Sequence, residues 1–198
     1  MLLIVKITFA YIKCPNQKIM LKNLFLTFIC LLAFPLAQAQ TGDPDGISRK
    51  SVVILFRHGE AVPPPYADNP PNPKLSENGQ ERAQLLAGIV KDTGVTKVFT
   101  TDLNRTKETA EPICKLLGLE FTFYGVKDME MIAEEMKSTP GVYLVSGHSN
   151  TTPDMVRLLG GDPHGPINEN EYDRLYIVTI IGGNASSVML RYGRPYAK

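Results

Sequence analysis

Cysteine is scarce in this 198-residue chain, three in all, and two of them, Cys14 and Cys30, fall within the first 39 residues. If that segment is removed, Cys114 stands alone and an internal disulfide is excluded for the domain behind it. An excess of charge of one sign is also missing: 21 Lys and Arg oppose 20 Asp and Glu, for a formal +1. Residues 1–39 carry Lys6, Lys13, Lys18 and Lys22 and no acid, so their loss moves the formal charge by four, to −3. Such a balance offers no polyanion-binding face, and nucleic acid is not an expected partner. A long apolar run is absent as well, because the stretch Leu24 to Leu36 is broken by Pro35 and falls short of the roughly 20 residues that span a bilayer.

What is present at the N-terminus is a three-part pattern. Lys22 supplies a basic element, Leu24 to Ala33 an apolar one, and Ala37-Gln38-Ala39 a small-x-small site that places cleavage before Gln40. A membrane anchor is the alternative, disfavoured by the short run and Pro35. Residues 1–39 are therefore expected to be a signal peptide, with 1–19 as an extension upstream of a start at Met20. Residues 40–50, polar and holding Gly42, Pro44 and Gly46, read as a linker, and 51–198 as one domain. The expected location is periplasmic or secreted, with no stable membrane anchor after cleavage.

Within the domain, Val52 to Phe56 is an unbroken apolar, β-branched run, as in a strand buried on both faces of a parallel sheet. Six prolines between Ala61 and Lys74 (63, 64, 65, 70, 71, 73) preclude regular structure and predict a long semi-rigid loop that could rim a pocket. Ser76 is a candidate N-cap for a helix with Ala83, Leu86, Ala87 and Val90 on one face, ending near Gly94. Strand and helix then alternate: strand 97–100, helix 104–117 stopped by Gly118, strand 120–124, helix 128–137, strand 142–145, helix 152–159. Two final apolar stretches, 175–181 and 187–192, are joined by Gly182-Gly183-Asn184, a hairpin turn. The predicted fold class is α/β, a three-layer sandwich on a mostly parallel mixed sheet. Cys114 shares a helical face with Ala110, Ile113 and Leu117 and reads as core rather than nucleophile.

In such sheets ligands collect beyond the carboxyl ends of the strands. Arg57-His58-Gly59-Glu60 follows the first strand, Gly147-His148-Ser149-Asn150 follows the fourth, and Arg105 sits on the first turn of the helix after the second. Two guanidiniums, two imidazoles and a helix N-terminus together suit a dianion, and phosphate is the natural occupant. A neutral imidazole is a competent nucleophile toward phosphorus, and neighbouring cations can balance the charge that builds on the equatorial oxygens. No metal and no cofactor are called for.

Arg57-His58-Gly59-Glu60 resembles the signature of the histidine phosphatase superfamily, the phosphoglycerate mutase-like fold. The similarity continues in Leu75-Ser76-Glu77-Asn78-Gly79-Gln80-Glu81-Arg82-Ala83, with Arg82 where Gln is often seen, in Arg105-Thr106 through Thr109-Ala110-Glu111-Pro112, and in Gly147-His148-Ser149. The resemblance implies that His58 is transiently phosphorylated while Arg57, Arg105 and His148 hold the phosphoryl group, with Gly59 orienting the imidazole and Asn150 joining the substrate-binding set. Glu60 and Glu108 are expected to be structural, pairing with the site's arginines or with nearby backbone.

The family's acid after the third strand has Asp128 as its candidate here, Glu130 second, although Asp128 could equally be the N-cap of the following helix. The polar ligand often found about seven residues after the nucleophile is replaced by Pro65, and the insertion that shapes mutase sites is absent. A small phosphorylated metabolite is the expected partner and phosphomonoester hydrolysis the expected reaction. A phosphohistidine protein phosphatase and a non-catalytic phosphate-binding envelope protein are the alternatives. His164, in a turn-rich loop, reads as solvated.

Overall fold

The computed structural model describes residues 50–63 and 72–195. The expected signal segment and most of the linker lie outside the described residues. Six strands form one sheet in the order β3-β2-β4-β1-β5-β6. The strands are β1 (Lys50–Arg57), β2 (Lys97–Thr100), β3 (Phe121–Phe123), β4 (Gly141–Gly147), β5 (Arg174–Ile181) and β6 (Asn184–Arg191). Strands β1 to β4 run parallel to one another, while β5 and β6 are antiparallel. Four helices connect them: α1 (Glu77–Val90), α2 (Asn104–Leu117), α3 (Met129–Ser138) and α4 (Thr151–Leu158).

The apolar run of β1 is buried on both sides because both faces are covered. Val53 and Leu55 pack with Ile132, Met136 and Met155 of α3 and α4, whereas Ile54 and Phe56 pack with Leu86, Val90 and Ile113 of α1 and α2. Each such side chain contributes roughly 1.5–3 kcal/mol through burial. Cys114 is buried in the second of these layers, and burial pushes its thiol up to about 11. It is a small core residue, as its spacing predicts.

The elements form where the sequence pattern places them, with shifted ends. Ser76 caps α1, its hydroxyl accepting from Gly79 N, and the helix ends at Val90 rather than near Gly94. Gly118, at φ 66°, stops α2 in the left-handed conformation that glycine tolerates best. β3 is only three residues long, because its ladder partner β2 ends at Thr100, opposite Phe123. The hairpin turn is Gly182-Gly183 alone, both with positive φ, and Asn184 already belongs to β6.

The sheet order positions the chemistry. β1 and β4 are neighbours, yet their outgoing connections diverge, β1 toward α1 on one face and β4 toward α4 on the other. Divergence at adjacent carboxyl ends opens a crevice at a topological switch point. Both histidine motifs lie there, and His58 N donates to Gly147 O at 2.9 Å.

Candidate active site

Main-chain bonds fix the nucleophile candidate. The Nδ1 of His58 lies 2.7 Å from Gly59 O. A carbonyl can only accept, so Nδ1 carries the proton and Nε2 keeps its lone pair. Gly59 N in turn donates to Thr109 Oγ1 at 2.9 Å, and Thr109 donates to Arg105 O at 2.7 Å, which ties the nucleophile loop to the first turns of α2. Gly59 also lies against the start of α1: a Cβ there would sit 2.9 Å from Gly79 O, and one on Gly79 would sit 2.1 Å from Glu60 O. Two glycines are needed for that approach, which is the physical content of the Gly59 and Gly79 motif positions.

His148 meets His58 edge to face, with ring centroids 5.3 Å apart. Its Nε2 lies 2.9 Å from Thr101 Oγ1, which is 2.8 Å from Thr106 Oγ1. Thr106 directs its one hydroxyl proton to the carbonyls of Thr101 and Leu103. Thr101 must therefore donate to Thr106, which leaves it only able to accept from His148. Proton counting thus assigns the Nε2–H form to His148. None of these hydroxyls stands out in the sequence, where threonine beside a strand end has no distinctive signal.

Arg57 is 7% exposed and donates through Nη1 to the carbonyls of Asn168, Glu169 and Glu171 at 2.9, 2.6 and 3.0 Å. Its Nε is buried with no hydrogen-bond partner among the described residues. Arg105 is close enough for its charge to depress both imidazoles and Arg57. Burial, opposed by the Gly59 bond and reinforced by the charges of Arg57, His148 and Arg105, pushes His58 down to about 3. Burial, then Arg105 and Arg57, brings His148 down to about 4. Both imidazoles are consequently neutral at pH 7, and the two guanidiniums leave the cluster positive.

The structure thus brings together Arg57, His58, Gly59, Arg105 and His148. Asn150 is exposed at the start of α4, and none of the bonds or ring contacts joining the cluster among the described residues runs through its side chain. Asp128 is half-buried and its Oδ2 accepts from Gly125 N at 2.8 Å, closing the turn before α3, with no side-chain cap on that helix. Glu130 is exposed on the first turn of α3. Pro65 lies outside the described residues.

The supporting acids differ in detail from expectation. Glu60 pairs with Arg82 of α1 rather than with Arg57 or Arg105, through two bonds of 2.7 and 2.9 Å. Arg82 is the motif position where Gln is often seen, and its longer fork also reaches Tyr192 O and Arg194 O. Glu108 accepts from Leu75 N at 2.7 Å and holds the end of the proline loop, a backbone pairing as expected. His164 is solvent-exposed, with φ 54°. A cavity of about 400 Å³ opens between the proline-loop ends and helices α1 and α2, lined by Val62, Lys74, Leu75, Gln84, Glu108 and Glu111, but by none of the converging residues.

Fold and site together define an α/β protein with two imidazoles and two guanidiniums gathered at the carboxyl ends of its central strands. Residues 53–134 match the sequence model of the histidine phosphatase superfamily (branch 1). Over 74 residues the chain is 39% identical to a probable phosphoglycerate mutase GpmB of Photorhabdus laumondii, covering 34% of this chain and 33% of that one. A probable GpmB of Salmonella typhi is 30% identical over 86 residues, 40% of this chain and 38% of that protein. The aligned part thus spans about a third of the length of these curated relatives.

Among solved structures, the protein histidine phosphatase SixA complexed with tungstate superposes with a TM-score of 0.58 at 19% identity, covering 71% of this chain and 96% of that one. A phosphoglycerate mutase from Bacillus anthracis str. Sterne gives 0.53 at 16% identity, covering 72% and 93%. The chain carries the histidine phosphatase superfamily pattern over residues 53–134, and its fold is that of the phosphoglycerate mutase-like histidine phosphatases.

Proposed function

We propose that the protein is an exported phosphomonoesterase that hydrolyses a small phosphorylated metabolite through a phosphohistidine on His58. The observation that carries this reading is the buried Nε of Arg57, unpartnered among the described residues, in a cluster where His58 and His148 are both held neutral. A buried donor without an acceptor is costly, and an incoming phosphate oxygen removes that cost. A dianion also offsets the two guanidiniums, which burial otherwise disfavours.

The chemistry follows from the proton positions. With Nδ1–H held by Gly59 O, Nε2 of His58 attacks phosphorus in line, a P–N bond forms and the P–O bond to the leaving group breaks. Arg57 and Arg105 balance the charge on the equatorial oxygens, and His148, neutral in the free site, joins them by taking up a proton on Nδ1 as the dianion binds. Water then attacks the phosphohistidine, releasing inorganic phosphate and restoring the imidazole. Protonation of a poor leaving oxygen is assigned to Asp128, on its position after β3, and Asn150 is assigned to the mouth of the site. Export rests on the Met20 to Ala39 pattern, and sequencing the N-terminus of the protein recovered from outside the cytoplasm should read from Gln40.

The reading is tested with an aryl phosphate, with and without a chelator, on the parent and on His58→Ala. Turnover should be indifferent to the chelator and fall on the order of 10⁴-fold in His58→Ala. Retention of a tenth of the parent rate in that variant would sink the mechanism. Tight phosphate binding with no turnover by the parent would instead favour a non-catalytic binding protein. A phosphohistidine-protein substrate turned over faster than every phosphomonoester would move the assignment to protein phosphatase.

A further inference from the structure

We infer that Tyr172 is a positioning residue of this site: its ring, together with the 168–171 main chain, holds the Arg57 guanidinium so that the Nε edge faces the phosphoryl group. The inference rests on the phosphatase reading and adds to it a residue that the sequence pattern does not single out.

Arginine is a long side chain, and a two-pronged contact with phosphate requires its planar fork to be fixed in both direction and tilt. The direction is fixed by Nη1, whose bonds to Asn168 O, Glu169 O and Glu171 O use carbonyls from a single turn. The tilt is fixed by the next residue in that turn, because the guanidinium carbon of Arg57 lies 4.0 Å from the centre of the Tyr172 ring. The same ring lies 5.9 Å from that of His58, so it borders the nucleophile as well. One edge and one face of the guanidinium are thereby occupied. What is left for a ligand is the edge carrying Nε, the buried donor without a partner among the described residues.

The turn that delivers these contacts is itself rigidly mounted. Glu171 is 1% exposed and accepts from Arg174 Nε at 2.6 Å, Arg191 Nη1 at 2.9 Å and Asn168 N at 3.0 Å. Arg174 continues the scaffold by donating to the carbonyls of Pro163, His164, Gly165 and Pro166. The loop before β5 is therefore a bracket, anchored by buried charge, with Tyr172 and three carbonyls as its working surface. A stacked cation on an aromatic face confers a preference that corresponds to about tenfold in binding when partly desolvated.

The test compares Tyr172→Phe, Tyr172→Leu and Tyr172→Gln with the parent, using inorganic phosphate binding by calorimetry and kcat and KM for an aryl phosphate. Tyr172→Phe keeps the ring and should bind phosphate within about threefold of the parent. Tyr172→Leu and Tyr172→Gln should each weaken phosphate binding about tenfold and lower kcat/KM at least as much, with thermal midpoints close to the parent's. Parent-like phosphate binding in Tyr172→Leu or Tyr172→Gln would overturn the inference, as would a Tyr172→Phe loss as large as theirs, which would shift the role to the hydroxyl. If the unaltered protein neither binds phosphate nor turns over the aryl ester, the phosphatase reading falls and this inference falls with it.

Discussion

Replacing Glu171 with Gln removes one negative charge from a buried polar cluster beneath the loop before β5. The carboxylate receives bonds from Arg174 Nε and Nη2, Arg191 Nη1, and Asn168 N and Nδ2. Arg174 is itself 7% exposed, so the substitution leaves a buried guanidinium without its counter-charge. Removing one member of a buried pair costs about 3–5 kcal/mol, and the amide retains enough hydrogen bonding to place this case near 3 kcal/mol. For a domain of this size that corresponds to roughly 6–12 °C in Tm. The effect has a pH signature. Burial opposes ionisation of Glu171, yet the bonds from Arg174, Asn168 and Arg191 outweigh it and hold the carboxyl well below its usual range. A depressed carboxyl stabilises the fold above its unfolded pKa of about 4.3, and that stabilisation is lost as pH falls toward the folded value. Thermal and urea unfolding of parent and Glu171→Gln at pH 7 and at pH 3 measure the Tm loss, the stability difference and its pH dependence. The difference in stability should be near 3 kcal/mol at pH 7 and should shrink at pH 3. A Tm loss below 2 °C, or a difference independent of pH, would refute the account of the bracket.

The depressed imidazoles make a second forecast. In a free-protein NMR titration, His58 and His148 should show neutral ring shifts down to about pH 5, and added inorganic phosphate should raise both titration midpoints; protonation of either ring near pH 6.5 without ligand would contradict it. The sign for stability is the reverse of a gained partner: the unfolded chain takes up these protons below about pH 6.5 while the folded one does not, so acidification from 6.5 toward 3 destabilises the fold. Gly79→Ala inserts a Cβ 2.1 Å from Glu60 O, so α1 must retreat from the nucleophile loop; about 1–3 kcal/mol of stability and most of kcat should be lost, and a parent-like rate would show the approach to be unimportant. Buried Cys114 should resist iodoacetamide in the folded protein at pH 8, followed by peptide mass, and label only on unfolding. Asp128→Asn should slow alkyl phosphates more than aryl phosphates, and equal slowing would remove it from the proton-transfer step.

Much of this protein is set by local sequence. The unbroken, β-branched run Val52 to Phe56 reads as a two-face buried strand, the Ser76 cap and Gly118 stop follow from backbone chemistry, and histidines directly after strands belong at carboxyl ends. Strand-helix alternation then limits where those ends can meet. The sequence could not order the sheet, however: that β4 lies beside β1, and so His148 beside His58, comes from packing of helices on two faces. Nor could it reveal which acid serves which arginine, since Glu60 finds Arg82 and Glu171 finds Arg174 and Arg191 only through contacts distant along the chain. Tyr172 illustrates the same limit, because a tyrosine in a polar loop carries no local mark of the guanidinium it will cover. Short-range patterns decide conformation within a few residues, whereas the partner of a charge or a ring is decided by whichever group the folded backbone brings within about 4 Å.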